Sequence, residues 1–156
     1  MNTALVRWLK KLLGVEVILE HQSGPTPALP YVTVNLIQAS EVRSHHSNML
    51  YDEETDGDIE ATPVVEMEWF YSVSSYGPNP VDILRPIVSA SKLSQVMEPM
   101  FPNLVISELS AIRNIPSYIN EAWEPRAQID MFLRGVIKDG HVIDVIEEYE
   151  VDLIKT

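Results

Sequence analysis

A run of alternating residues between 64 and 75 restricts the possible folds more than any other part of the sequence. Every second position there is apolar or aromatic, at Val65, Met67, Trp69, Tyr71 and Val73. Glutamate and serine hold most of the positions between them. Successive side chains of a strand lie on opposite faces of its sheet, so this strand has one apolar and one mostly polar face. The sequence therefore predicts a sheet that other elements cover on one side.

Two segments have the residue spacing of helices that could supply this cover. Near the N-terminus, apolar residues recur three or four positions apart, and Gly14 follows where helices commonly end. A second helix is expected over residues 80 to 92, with Pro86 inside it as a cause of kinking or shortening. The apolar positions of the two helices are Leu5, Trp8, Leu9, Leu12, Leu13, Ile83, Leu84, Ile87 and Val88.

Further strands are expected on both sides of the central helix. In the strand at 31 to 39, we expect Val32, Val34 and Leu36 to face the core. Asp139-Gly140 is a strong signal for a two-residue turn, so the runs beside it predict a long antiparallel hairpin. The remaining strand candidates cover residues 15 to 19, 104 to 109, 127 to 137 and 143 to 151.

These elements predict an α+β fold in a single domain of residues 1–156. The expected architecture is a mostly antiparallel β-sheet with the N-terminal helix and the central helix packed on one face. Residues 21 to 31 contain three prolines and one glycine, which predicts a stiff connector suited to a fixed crossing or a contact surface. Residues 41 to 60 form either a long acidic loop or a hairpin arm that turns near Asp56-Gly57.

The charge and the residue types exclude several classes of function. The 156 residues include 11 Lys and Arg against 23 Asp and Glu, for a net charge of -12. Such a chain lacks the basic surface with which proteins hold nucleic acid. It has no cysteine, which excludes disulfides and thiolate catalysis. No apolar run approaches the roughly 18–20 residues of a membrane helix, so we expect no membrane partner.

The strongest candidate for a metal site is the pair His45 and His46, with acidic residues following from Asp52. Adjacent histidines in a polar loop point apart and lack the packed neighbours that hold metal ligands in place, so a solvated loop is the favoured interpretation. No phosphate-binding glycine loop, nucleophile elbow or zinc-protease motif occurs. We therefore expect no enzymatic activity, no catalytic residues and no cofactor.

Two blocks of residues, in this order and at this separation, resemble phage neck or tail terminator proteins, which are also called tail completion proteins. The first block lies between the first strands, and its members are Gln22, Gly24, Pro25, Pro27, Pro30 and Tyr31. The second block leads into a strand near the C-terminus, and its members are Trp123, Glu124, Pro125 and Arg126. The resemblance covers essentially the whole chain.

The resemblance implies a structural virion protein that assembles in the host cytoplasm. It implies a ring, typically a hexamer, at the head-proximal end of the tail, where the neck begins. The ring would terminate growth of the tail tube and join the tail to the neck or connector. The implied partners are other copies of the chain, the tail tube protein and the neck or head-completion proteins, and a tail sheath is a further candidate.

Within such a ring, charged residues have expected roles. The basic residues Arg7, Lys10 and Lys11 could face acidic stretches of a neighbouring copy. Acidic residues facing the lumen would repel the passing DNA, so the genome would move through without specific binding. Neutralising them is predicted to slow genome ejection while tails still form correctly. The candidates for this lumen surface are Asp52, Glu53, Glu54, Asp56 and Asp58.

The second block is expected to be structural. We expect Trp123 to anchor the entry into the strand, where a buried ring would contribute to stability and an exposed ring would indicate an interface. We expect Pro125 to occupy a strand start because it donates no ladder hydrogen bond. Arg126 is expected to pair with Glu124 or Asp130, or to reach the next subunit.

Other functions remain open at this stage. The first is another neck or tail component, such as a head-closure or tube subunit. The second is a monomeric metal-dependent enzyme that uses His45 and His46. The third is a binding domain that does not assemble.

Overall fold

The computed structural model of the chain describes residues 2–21, 24–44, 48–53, 59–100 and 104–143. These residues form an α+β fold, as predicted. The helices are α1 (Asn2–Leu13), α2 (Pro80–Ala90) and α3 (Ser94–Met97), followed by a 3-10 turn at Glu98–Met100. The strands are β1 (Glu16–Leu19), β2 (Tyr31–Glu41), β3 (Asn48–Glu53), β4 (Ile59–Tyr76), β5 (Val105–Leu109), β6 (Arg113–Asn114), β7 (Ser117–Ile119), β8 (Ala122–Glu124), β9 (Arg126–Lys138) and β10 (His141–Ile143).

The main sheet has the strand order β1-β2-β4-β9-β5, and β3, β6 and β10 pair with its central strands. Every pair is antiparallel except β1 and β2, which are parallel. Strands β7 and β8 form a separate two-stranded ribbon. The mostly antiparallel sheet therefore agrees with the sequence-based prediction, apart from the parallel first pair.

Helices α1 and α2 pack on one face of the sheet, as predicted. Leu5 and Leu9 of α1 and Leu84 and Ile87 of α2 are fully buried in one core with the apolar face of β4. The Trp8 indole N–H also donates to the carbonyl oxygen of Val96, 2.8 Å away. Burial of each large apolar side chain stabilises the fold by about 1.5–3 kcal/mol, so this face is the main source of stability.

Both helices end near the predicted residues. Gly14 has φ 66°, and its N–H donates to the carbonyl oxygen of Lys10 at 3.1 Å, which closes α1. Helix α2 contains Pro86 and ends at Ala90, two residues before the predicted end. No described helix has the length and apolarity needed to cross a membrane.

The first part of β4 lies beyond the helices and belongs to a three-stranded extension. Strand β3 pairs with residues 59–64 of β4 on one side, and β10 pairs with residues 59–61 on the other. We call β3, residues 59–64 and β10 the arm. Of the two interpretations of residues 41 to 60, the structure has the hairpin arrangement for 48–53 and 59–64. The turn expected at Asp56-Gly57 lies outside the described residues.

The hairpin predicted at Asp139-Gly140 is wrong. Strands β9 and β10 are both antiparallel to β4, so they run in the same direction and the chain continues without turning back. Gly140 lies against the side chain of Glu60, whose carboxylate would have to move aside for a Cβ at this position. The rest of the last predicted strand, residues 144 to 151, lies outside the described part of the chain.

The outer half of β2 also differs from the prediction. Val32 and Val34 are buried in the core, as expected, but Leu36 is 40% exposed. The pairing of β2 with β4 shifts register between Leu36 and Gln38, so a bulge interrupts the strand at Ile37. The helices cover β2 only near its start, which leaves Leu36 in solvent.

Candidate assembly interface

The two blocks that carry the resemblance meet at one end of the sheet. Tyr31 begins β2, Tyr76 ends β4 and Arg126 begins β9. Tyr31 lies directly opposite Tyr76, and Tyr76 lies directly opposite Arg126, so the three form one row across adjacent strands. Directly opposed residues of antiparallel strands have their side chains on the same face. The row lies on the face away from the helices, because its neighbours Val32, Ser75 and Ala127 are buried in the core.

The side chains of this row stack on one another. The rings of Tyr31 and Tyr76 are stacked with centroids 4.9 Å apart and an angle of 17° between their planes. The guanidinium carbon of Arg126 lies 5.2 Å from the centroid of Tyr76, within the range of a cation–π contact. Arg126 Nη2 also donates to Ser74 Oγ at 3.2 Å. These contacts fix the start of β9 against the ends of β2 and β4.

The ion pairs predicted for Arg126 do not form within the described residues. Asp130 is paired with Arg113 instead, and Arg126 binds Ser74 and Tyr76. The Arg126 Nε is buried and has no hydrogen-bond partner. Arg126 lies directly opposite Tyr76, so its side chain extends across the sheet toward Tyr76 and Ser74. It does not extend along β9 toward Asp130.

Tyr31 is held in its neutral form by its surroundings. Burial raises the pKa of the Tyr31 phenol, nearby Tyr76 and Glu124 raise this pKa further, and the Arg126 cation opposes them by lowering it. The protonated phenol therefore persists at neutral pH and beyond. The neutral Tyr31 ring leaves the stacked tyrosines without negative charge at the point where the connector enters β2.

Gly77 joins the two blocks. Its φ is 114°, in a region open to glycine, and a Cβ there would lie 3.1 Å from the Cα of Pro30. The Gly77 N–H donates to the carbonyl oxygen of Pro125 at 3.3 Å. The peptide bond between Leu29 and Pro30 is cis. One glycine after β4 therefore lies against Pro30, the last proline of the first block, and is hydrogen-bonded to Pro125 of the second.

A groove of about 440 Å³ opens beside the stacked tyrosines. It lies between the proline-rich connector, the end of β1 and the β7–β8 ribbon. The hydroxyl of Thr33 lines it and is buried without a hydrogen-bond partner. Its lining residues include Pro25, Tyr31, Thr33, Tyr76, Ile119 and Glu124. Its lining combines aromatic and proline rings with polar side chains, among them Glu20, His21 and Glu124, so the groove offers both apolar and polar contacts to a protein segment.

The ribbon beside the groove presents exposed aromatic rings. Tyr118 is 61% exposed and Trp123 is 69% exposed, with ring centroids 5.1 Å apart. Asn120 and Glu121 connect the two strands with φ of 51° and 62°, as a type I′ turn requires. Of the two possibilities for Trp123, the structure has the exposed ring, because β8 pairs only with β7 and no described layer covers it.

Sequence reasoning missed Tyr76, Gly77 and Tyr118. Strands β7 and β8 have three residues each, which is too short for an alternating pattern to be recognised. The glycine after the strong strand at 64 to 75 was a usable signal, since such positions often need a positive φ. The stacking of Tyr31 on Tyr76 depends on which residues of β2 and β4 lie opposite each other, and the sequence alone does not determine this register.

The remaining predicted site residues lie away from this groove or outside the described chain. Arg7, Lys10 and Lys11 are exposed on α1, and Lys10 Nζ pairs with Glu16 at 2.7 Å. Asp52 is exposed on the arm, and Pro25, Pro27 and Pro30 lie in the connector, in neither helix nor strand. The residues whose placement or side chain lies outside the described part are Gln22, His45, His46, Glu53, Glu54, Asp56 and Asp58.

Elsewhere in the described residues, Arg134 Nε pairs with Glu68 at 2.8 Å, and Glu66 lies nearby. Within these ranges, no three histidine, aspartate or glutamate residues lie close enough together to hold a metal ion. The tentative site at His45 and His46 falls in the part that the structure does not describe.

Comparisons with known proteins identify relatives of this chain. A family model described as phage neck terminator protein matches residues 1–156, which confirms the resemblance of the two blocks. The fold is similar to the sheath/tube terminator of an extracellular contractile injection system, PVC, with 11% identity and a TM-score of 0.52 over 99% of this chain. The tube terminating cap of the anti-feeding prophage matches with 11% identity and a TM-score of 0.46 over 97% of the chain. The chain spans 62% and 60% of the lengths of these two proteins. No curated protein matches the sequence significantly.

Proposed function

This chain belongs to the phage neck terminator proteins, structural components of the virion that terminate the tail, and from this premise we propose that it forms a ring. The ring is hexameric and lies at the head-proximal end of the tail. It stops the growth of the tail tube and joins the tail to the neck or connector. The observation that carries the proposal is the family match across residues 1–156.

The geometry of the candidate interface supports assembly with other proteins. Exposed tryptophan and tyrosine residues contribute most to binding energy at protein interfaces. Trp123 and Tyr118 stand next to a groove that can receive an extended segment. The partners we assign are a neighbouring copy, the tail tube protein and the neck or head-completion proteins, with a tail sheath as a further partner. The match favours this role over that of a head-closure or tube subunit.

A non-enzymatic role is part of this proposal. The family is structural, and the sheath/tube terminator with a similar fold is named for a structural role. The alternative, a metal-dependent enzyme, depends on His45 and His46 alone. We also propose that DNA crosses the ring without specific binding, because a net charge of -12 repels phosphate groups.

The proposal is tested by disrupting the gene in the phage and measuring tails by electron microscopy. We expect tubes of uncontrolled length that do not join heads, because nothing stops subunit addition. Supplying the wild-type chain should restore uniform, joined tails. Normal tail lengths with joined heads in the disrupted phage would contradict the proposal.

A matched variant separates the structural role from the metal-dependent alternative. His45→Ala with His46→Ala should restore tails as well as the wild-type chain does, since the proposed role uses neither imidazole. Loss of tail restoration together with loss of a bound metal ion in this variant would favour the enzyme.

A further inference from the structure

The arm carries an apolar surface that no helix covers. Met49 and Tyr51 of β3 lie opposite Pro63 and Ala61 of β4, and Ile143 of β10 lies opposite Ile59. These residues share the face on which the helices pack further along β4. They are exposed by 43% at Met49, 63% at Tyr51 and 40% at Ile143. An apolar row beyond the end of the helical layer is typical of a surface that another protein covers.

Two acidic residues lie side by side on the other face of the arm. Asp52 lies directly opposite Glu60. Like charges in directly opposed positions destabilise a strand pair unless a cation is near. Among the described residues, neither carboxylate belongs to an ion pair. Since β3 is an edge strand, a long basic side chain from outside can reach Asp52 around the rim.

Helix α1 has the complementary surface. It contains three basic residues and no acid. Lys10 is engaged with Glu16, whereas Arg7 and Lys11 are exposed and take part in no ion pair within the described ranges. Next to Lys11, an apolar groove of about 320 Å³ runs between α1 and α3. Its lining residues are Trp8, Lys11, Leu12, Gln95, Val96 and Pro99.

We infer that the arm of one subunit docks on the α1–α3 groove of the next copy of this chain. The apolar row around Tyr51 covers the groove, and Asp52, at the edge of the arm, approaches Arg7 and Lys11 at its rim. This inference rests on the proposed ring and names the contact that builds it. Two different surfaces meet, so the contact is head-to-tail, and contacts of this kind close into rings. It assigns Asp52 to the subunit contact and leaves the lumen role to Glu53, Glu54, Asp56 and Asp58.

Charge exchange tests the contact in solution, with the ring mass read by light scattering. One variant reverses the charge at the edge of the arm, Asp52→Lys, and the other reverses the charges of the helix, Arg7→Glu with Lys11→Glu. Each variant alone should need more than about tenfold higher concentration than the wild-type chain to assemble, because like charges then meet. An equal mixture of the two should assemble as the wild-type chain does, since each arm finds an opposite helix.

The control reverses two exposed charges of the same sign on another surface, Arg85→Glu with Lys92→Glu, and should assemble normally. Circular dichroism of each variant separates misfolding from lost contact. Unchanged assembly of both reversed variants, or a mixture that fails to recover, would overturn the inference.

Cysteine cross-linking tests the same contact even where association is weak, because the chain has no cysteine. Met49→Cys on the arm and Gln95→Cys at the groove should cross-link to each other under oxidation, and neither should cross-link to itself. The reaction is run on the purified chain and on tails assembled with it. A ring without this cross-link contradicts the inference and leaves the ring standing. The cross-link with normal tails in the disrupted phage supports the contact and contradicts the proposed function.

Discussion

Gly77 lies so close to Pro30 that a Cβ on Gly77 would be 3.1 Å from the Pro30 Cα. The same glycine donates its N–H to the carbonyl oxygen of Pro125. The two blocks that resemble neck terminator proteins, far apart in sequence, are therefore held against each other by one residue that neither block contains. This contact makes the end of β4 the centre of the candidate interface.

Gly77→Ala should destabilise the fold more than the same change at Gly14. At Gly77 the substitution adds backbone strain at φ 114° and a close contact with backbone atoms of Pro30, with a loss of at least about 2 kcal/mol. At Gly14 the φ is 66° and no atom lies within 4 Å of the added Cβ, so the loss is about 1 kcal/mol. Urea unfolding of both variants measures the difference. Equal losses would mean that the connector moves away from Gly77 at little cost.

Trp123→Ala should leave the folding free energy nearly unchanged while weakening assembly. The ring is 69% exposed on the two-stranded ribbon, so its removal should cost less than about 1 kcal/mol. Trp69, which is 6% exposed in the core, is the matched control, and Trp69→Ala should cost about 3–5 kcal/mol. Chemical unfolding and ring mass are measured on both variants. A large stability loss for Trp123→Ala, or normal assembly, would remove Trp123 from the interface.

Ionisation of Tyr31 should reduce stability at alkaline pH. Burial, with Tyr76 and Glu124, raises the pKa of Tyr31, so the folded state holds the phenolic proton more tightly than the unfolded chain does. The resulting stabilisation is complete below the unfolded pKa of about 10 and is lost as the pH rises through the folded pKa. Tyr31→Phe should therefore lose less stability than the wild-type chain as the pH rises above about 10. Identical alkaline profiles would contradict the buried stack.

Arg126→Gln provides an independent check on the same phenol. Arg126 lowers the pKa of Tyr31, so removing this cation should move the tyrosinate absorbance of Tyr31 to higher pH. The titration of Tyr31→Phe, subtracted from that of the parent chain, isolates the signal. A shift toward lower pH in the Arg126 variant would show that the cation does not act on Tyr31.

Neutralising Glu53, Glu54, Asp56 and Asp58 with Asn or Gln should slow genome ejection without changing tail length. The expected cause is the loss of repulsion between a lumen surface and DNA phosphates. Ejection is followed by dye fluorescence after triggering, and the matched control neutralises Glu98 and Asp82, two acids of the helical layer. Ejection at the wild-type rate would remove the lumen role from these residues.

Long periodic segments made the core predictable. The alternation of β4 and the spacing of α1 each repeat over more than ten residues, so their buried faces follow from the sequence alone. The α+β fold with its helices on one face follows from the same patterns.

Pairing partners were not predictable in the same way. The residues after Gly140 alternate, and alternation does not say whether a strand pairs with β9 or β4. Asp139-Gly140 indicates a turn, whereas in the structure Gly140 passes beside the side chain of Glu60, a residue 80 positions earlier. Leu36 is exposed because the helices cover only the start of β2, and Trp123 is exposed because it lies in a ribbon too short to show a pattern. Each failure concerns a contact between distant segments.

The most direct test of the central claim is cryo-electron microscopy of purified tails that contain this chain. The account predicts one ring of six copies at the head-proximal end of the tube, with the described fold in each copy. Finding the chain along the tube or at the distal end, or a head-proximal end without it, would contradict the account.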